Sequence, residues 1–125
     1  MLAAKRPRVL VADDYPPILV STARLLTAEC DVVGVVSDGE ELVDAMPRLR
    51  PDVVVLDLNL PNVNSLEFCR TVGERHPRTR VIVITGMVDD PIMDDAREAG
   101  ATAVISKYAL GEELLAAVKA ACGDW

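Results

Sequence analysis

Three aspartates, a threonine–glycine pair and a lysine stand directly behind short apolar runs in this 125-residue chain. Asp13-Asp14 follow Val9–Ala12, Asp57 follows Val53–Leu56, Thr85-Gly86 follow Val81–Ile84, and Ser106-Lys107 follow Ala103–Ile105. Carboxylates are hard oxygen ligands and can act as nucleophiles; a hydroxyl and an amide N–H donate hydrogen bonds; an ammonium is a compact positive charge. Brought together, such groups suit the capture of a phosphoryl group on a carboxylate beside a cation, with positive charge neutralising the transferred oxygens.

Whether they come together depends on the elements that carry them. The apolar runs Val9–Ala12, Val32–Val36, Val53–Leu56, Val81–Ile84 and Ala103–Ile105 are Val/Ile-rich without polar alternation, the pattern of strands buried on both faces. Helix-period segments lie between them. The first opens at Pro16-Pro17, suited to a helix's first turn, and the second runs from Asp38-Gly39 to near Pro47. The third follows Asn62–Asn64 with Leu66, Phe68, Cys69 and Val72 on its apolar side. The fourth spans about Asp89 to Ala99 before Gly100, a natural helix stop, and the fifth roughly Gly111 to Ala121. Strict alternation implies a doubly wound, flavodoxin-like α/β fold: a five-stranded parallel sheet in the order 2-1-3-4-5, with five helices on its two faces. All C-terminal strand ends then share one edge, and ligands bind where strand order reverses, between strands 1 and 3. Asp13, Asp14 and Asp57 are expected to converge there, flanked by Thr85 and Lys107.

Each residue alone has a plainer reading. Asp13 or Asp14 could cap the helix at Pro16, Asp57 could open a turn before Pro61, Thr85 could close a strand, and Lys107 could be a solvated lysine. Five such residues at four strand ends on one edge weigh against coincidence. Three adjacent carboxylates repel, each close pair costing on the order of a few kcal/mol at an effective dielectric of about 20. One lysine and one divalent cation would balance them, and a few carboxylates plus waters suit Mg2+ better than Ca2+. Without the metal, at least one acid is expected to have a raised pKa through like-charge repulsion. The Thr85 hydroxyl and Gly86 amide are expected to hydrogen-bond the product, with Gly86 leaving room for close approach of the chain.

Composition narrows the class. Half the residues are apolar, which fits one compact domain over residues 1–125. Cys30, Cys69 and Cys122 are odd in number and widely spaced, against a disulfide framework or zinc site and for a reducing compartment. No apolar stretch approaches the roughly 20 residues of a membrane helix, and the basic start Met1–Arg8 lacks the apolar run of a secretion signal. A cytoplasmic location is expected, without membrane contact. Net charge is −7 with no Lys/Arg run, so no direct nucleic-acid binding is expected; Lys107 is one of only three lysines.

The pieces Val9–Asp14 (VLVADD), Pro51–Pro61 (PDVVVLDLNLP), Ile82–Gly86 (IVITG) and Gly100–Lys107 (GATAVISK), in this order and at these separations, resemble the receiver domain of two-component response regulators over essentially the whole chain. The Ala-rich, Arg-over-Lys sequence is most similar to receivers of NarL/FixJ-type (LuxR-like) transcription factors. The resemblance implies that Asp57 accepts a phosphoryl group from a histidine kinase. It implies that Asp13 and Asp14 hold Mg2+ with Asp57 and the Asn59 main-chain carbonyl, that Thr85 is the switch hydroxyl, and that Lys107 binds phosphate. Asn59 and Met87 occupy positions that set phosphoryl lifetime in the family. It further implies a switch in which Thr85 moves, the loop Met87–Pro91 follows, and the fourth helix, fifth strand and fifth helix change as a homodimer or effector surface. It implies either a stand-alone receiver or, as the favoured expectation, a piece of a longer protein with a DNA-binding output domain beyond Gly123-Asp124-Trp125.

Three positions depart from the family pattern. Val104 stands where an aromatic often turns inward, Tyr108 follows the lysine instead of proline, so a trans bond is expected there, and Ser65 replaces a usual loop glycine. These bear on signal relay, not on the acceptor chemistry. A pseudo-receiver acting only as an interaction module is the alternative. An aspartate-nucleophile phosphohydrolase would want an acid two residues beyond Asp57, where Asn59 stands. A flavin carrier would want a Ser/Thr/Gly cradle where Asp13–Pro17 lie. No enzymatic turnover is expected beyond self-catalysed phosphoryl acceptance and loss.

Overall fold

In the computed structural model, residues 6–86 and 90–123 are described. Met87 and Asp89, expected in the switch loop and at the start of the fourth helix, lie outside the described residues, as do Met1–Lys5 and Asp124-Trp125. Strands and helices alternate as β1 (Arg8–Ala12), α1 (Pro16–Thr27), β2 (Asp31–Val36), α2 (Gly39–Leu49), β3 (Val53–Asp57), α3 (Ser65–Arg75), β4 (Arg80–Thr85), α4 (Asp90–Glu98), β5 (Ala103–Ser106) and α5 (Leu110–Cys122). The five strands are parallel in the order β2-β1-β3-β4-β5, the flavodoxin-like arrangement the alternation predicts.

The unbroken apolar strands are explained by two cores, one on each face of the sheet. Leu10, Ala12, Val54, Leu56, Val81 and Val83 point to the core shared with α2, α3 and α4. Val9, Val11, Val53, Val55, Ile82 and Ile84 point to the core with Leu26 of α1 and Leu114 and Val118 of α5. Side chains alternate faces along a strand, so a strand covered on both sides needs apolar residues at every position. Cys30 and Cys69 are buried free thiols and Cys122 is half-buried, as the absence of a Cys pattern predicts; burial pushes the Cys69 thiol up to about 11.

Helix limits differ from expectation in ways the local chemistry explains. α2 runs through Pro47 to Leu49 instead of ending near it. Pro47 lies in the last turn on an exposed surface, where the N–H it lacks costs least, and the helix stops at Arg50 in a left-handed conformation (φ 46°). At its start, Asp38 accepts from the Glu41 N–H (2.9 Å) while Glu41 accepts from the Ser37 N–H (3.2 Å). α5 begins one residue earlier than expected and ends one later, preceded by a 3-10 turn, Lys107–Ala109, that the sequence did not announce. α4 ends at Glu98, with the Ala101 N–H closing back on Ala96.

One glycine is required by space. A Cβ on Gly39 would lie 2.3 Å from Val63 and 2.4 Å from the Asn62 carbonyl oxygen, and the Gly39 N–H donates to the Pro61 carbonyl at 2.7 Å. The first turn of α2 is therefore seated directly on the loop that follows Asp57. Asn62 in that loop has φ 63°, a conformation asparagine tolerates better than most residues.

Candidate functional site

β1 and β3 are neighbours, and β2 pairs with the far side of β1, so strand order reverses at the ends of β1 and β3. The residues after β1 and at the tip of β3 supply the cluster expected there: Asp13, Asp14 and Asp57 each offer a carboxylate oxygen, all within 4.8 Å of one another. Asp13 is only 3% exposed and Asp57 2%, while Asp14 is open to solvent.

Each carboxylate is held locally. The Asp13 N–H donates to the Val36 carbonyl (3.1 Å), and its side chain accepts from the Tyr15 N–H (2.9 Å). Neither aspartate caps α1 in the ordinary way: the N-cap is Tyr15, without a side-chain cap, and Pro16 and Pro17 bring no N–H to the first turn. Asp57 shares the strand parity of Val53 and Val55. One of its oxygens accepts from the Asn59 N–H at 3.1 Å and the other pairs with the Lys107 ammonium at 3.4 Å.

Burial raises the Asp13 pKa above the ordinary aspartate value, because the charged form loses hydration. The hydrogen bond from Tyr15 works against this, the negative charges of Asp57 and Asp14 add to it, and Lys107 opposes it. The expected raised acid is present, but its leading cause is desolvation, with like-charge repulsion second in rank among the raising effects. The sequence shows that charges are near; only the fold shows how little water reaches them.

Thr85 ends β4, fully buried, opposite Ser106 of β5. Lys107 follows Ser106, whose hydroxyl oxygen accepts from the Tyr108 N–H (3.1 Å) and caps the 3-10 turn that carries the lysine. The Lys107–Tyr108 bond is trans, and Tyr108 is 87% exposed. Val104 is buried in the core on the α2–α4 side. Gly86 does not mark a close approach: a Cβ there would meet only the Lys107 side chain, at 3.9 Å, an ordinary contact.

Ser65 has a role the sequence reading missed. It is the first residue of α3, as a helix following Asn62–Asn64 implies and against its reading as a loop position, and its buried hydroxyl donates to the Asp57 carbonyl at 3.2 Å. The signal was present: Asn64 accepts from the Glu67 N–H (3.0 Å), the Asn-x-x-Glu spacing of a helix start, which makes Ser65 helical. The structure thus brings together all three aspartates and Lys107, with Thr85 and Asn59 on adjoining positions. An all-oxygen set of this kind could hold a hard metal ion.

Comparisons with known proteins agree with this architecture. Residues 9–119 match the response regulator receiver domain model. Over 114 residues the chain is 39% identical to the DNA-binding transcriptional activator DevR/DosR of Mycobacterium tuberculosis, covering 90% of this chain and 52% of that protein. The chain spans about half the length of these curated relatives. Its fold superposes on the signal receiver domain of the putative response regulator NarL from Mycobacterium tuberculosis with a TM-score of 0.89 at 28% identity, covering 96% of this chain and 99% of that one. A LuxR-family two-component response regulator from Aurantimonas sp. superposes with a TM-score of 0.85 at 27% identity, over 93% and 84% of the two chains.

Proposed function

The chain belongs to the response regulator receiver domain family, in its NarL/LuxR-type branch, and we propose that it is switched by transfer of a phosphoryl group from a partner phosphohistidine to Asp57. The observation that carries this is the buried Asp57 carboxylate, tied to Lys107 at 3.4 Å and within ligand distance of Asp13 and Asp14. An Asp57 oxygen attacks phosphorus as the P–N bond to the donor imidazole breaks; the bonding pair leaves with the imidazole, and an acyl phosphate forms. Lys107 neutralises a phosphoryl oxygen, and the Thr85 hydroxyl donates to another once the threonine moves toward it.

Asp13, Asp14 and Asp57, with the Asn59 carbonyl, are the residues that would hold Mg2+; the cluster's all-oxygen donors and excess negative charge fit it. When bound, the ion supplies charge neutralisation for the transferring group. The Asn59 N–H, by holding one Asp57 oxygen, leaves the carboxylate a fixed orientation.

The switch then biases α4, β5 and α5 as a homodimer or effector surface. With Val104 buried and Tyr108 outside, neither position supplies an inward-turning aromatic, so the relay runs through Thr85 and the segment after it. The full-length protein is proposed to carry a DNA-binding domain and to act in transcription in the cytoplasm, the domain itself catalysing nothing beyond gain and loss of its own phosphoryl group. No helix among the described residues is long and apolar enough to cross a membrane.

The test is intact-protein mass after incubation with acetyl phosphate and Mg2+. One phosphoryl adduct on wild type, not formed when the metal is chelated beforehand and absent from Asp57→Asn, is expected. A wild type that never gains mass would leave only an interaction module, and an adduct persisting in Asp57→Asn would move the acceptor elsewhere.

A further inference from the structure

The opposite edge of the sheet, where strands begin and α2 and α3 end, holds a second concave surface. A groove of about 610 Å3 between the α2–β3 and α3–β4 turns is floored by Pro47, Pro51 and Pro77 and rimmed by Arg50 and Arg78. At Pro47 and His76 it joins a second groove of about 280 Å3 between α2 and α3, lined by Val43, Met46, Phe68 and Val72 with Arg75 at its rim. The result is a bent channel, apolar along its floor and cationic along its edge.

Helix C-termini favour arginines, and that alone would explain Arg75. It covers Arg50 too, the C-cap of α2, but not Arg78, two residues beyond the cap of α3, nor the gathering of all three around one groove. Beside α1 and α5, Arg6 pairs with Asp31 at 2.9 Å and Lys119 with Glu29 at 3.0 Å, while Arg24 on exposed α1 pairs with no described residue but borders no groove. Arg8 and Arg80 donate to the carbonyls of Leu49 and Pro77. Among the described residues the guanidiniums of Arg50, Arg75 and Arg78 make no hydrogen bond or ion pair, in a chain of net charge −7. Among the described residues lining the channel, Asp52 alone brings negative charge, and it already accepts from the Arg8 N–H at 2.9 Å.

We propose that this channel is a docking site for an acidic, amphipathic segment of a partner protein, its carboxylates on Arg50, Arg75 and Arg78 and its apolar side chains in the α2–α3 groove. Arginine forks suit carboxylates, and unpaired guanidiniums around an apolar floor match the composition of protein interfaces. The apolar floor offers nothing to a phosphate backbone, and a recess between two helices cannot lie against a flat bilayer. A second copy is a poor occupant: in this chain's own acidic helix, α4, Ala96 is buried and Ile92 and Met93 are half-buried, so its described apolar residues already face the core.

The test uses fluorescein-labelled 12-residue peptides with glutamates and leucines at helical spacing, read by anisotropy against the full chain. Expected are saturable binding that weakens with salt, loss with glutamine in place of glutamate, and weakening of about tenfold or more in Arg78→Glu. Val43→Ser, on the apolar wall, weakens it severalfold. Arg24→Glu, the same charge change on exposed α1, leaves it unchanged, and both arginine variants keep the wild-type melting profile. Equal weakening by Arg24→Glu, or no anisotropy change at roughly millimolar protein, overturns the proposal. Stronger binding of a 20-base-pair duplex or of anionic vesicles overturns it too, as does concentration-dependent self-association that Arg78→Glu abolishes.

Discussion

The two edges of the sheet treat charge in opposite ways. At the C-terminal edge, Asp13 and Asp57 are buried beside each other and beside Asp14, and one lysine faces them. At the N-terminal edge, near α1, Arg6 lies on the surface, paired with Asp31 and donating to the carbonyls of Thr27 and Cys30 at the end of that helix. The second arrangement is what folding alone favours: exposed, opposite in sign, and aligned with the helix dipole. The first holds negative charge against desolvation and repulsion, so a cation bound there would add to the domain's stability. The acidic edge is the adjustable one.

Mutations can break or sharpen that contrast. The largest effect is expected for Lys107→Ala, which leaves the Asp57 carboxylate buried without its partner; urea denaturation without Mg2+ should show a loss of about 1–2 kcal/mol, and added Mg2+ should recover most of it. An unchanged midpoint would mean that the ion pair contributes nothing. Arg6→Ala, at the other edge, should cost about 1 kcal/mol or less because its partners are exposed, and Mg2+ should not restore it. The smallest effect, and opposite in sign, is expected for Asp13→Asn.

The sign for Asp13 follows from its raised pKa. The folded state holds the proton to higher pH than the unfolded chain does, so the wild type loses stability as pH rises from the unfolded value of 3.8 through the raised folded value, and the loss is complete above it. Removing the charge removes the loss. Without metal, Asp13→Asn should melt a few degrees above wild type at neutral pH, with the gap closing as both are taken toward about pH 3. A gap that persists in acid would mean that packing, not ionisation, separates the two proteins.

The fold was legible because strand burial and strand-end chemistry leave direct marks. Five Val/Ile runs without alternation specify a sheet covered on both faces, and the residues behind four of them mark the acidic edge. Pro47 misled because a proline's cost depends on whether the partner it deprives is buried, which composition does not show. Ser65 was read through what usually stands there, although Asn64 and Glu67 already marked the helix start. The cationic channel left no trace in the order of residues: Arg50 and Arg75 lie 25 positions apart and meet only because α2 and α3 end on the same edge. Linear clustering of charge and spatial clustering are different properties.

Gly39 gives the acidic edge a mechanical property. With no side chain between them, the start of α2 and the Pro61–Val63 segment have no compliant layer to absorb relative motion, and a 2.7 Å backbone bond joins them. A displacement of the loop behind Asp57 is therefore transmitted to α2 nearly undamped, as through a rigid coupling and not a spring. Adding a single methyl at this joint would unseat the coupling without touching any charge.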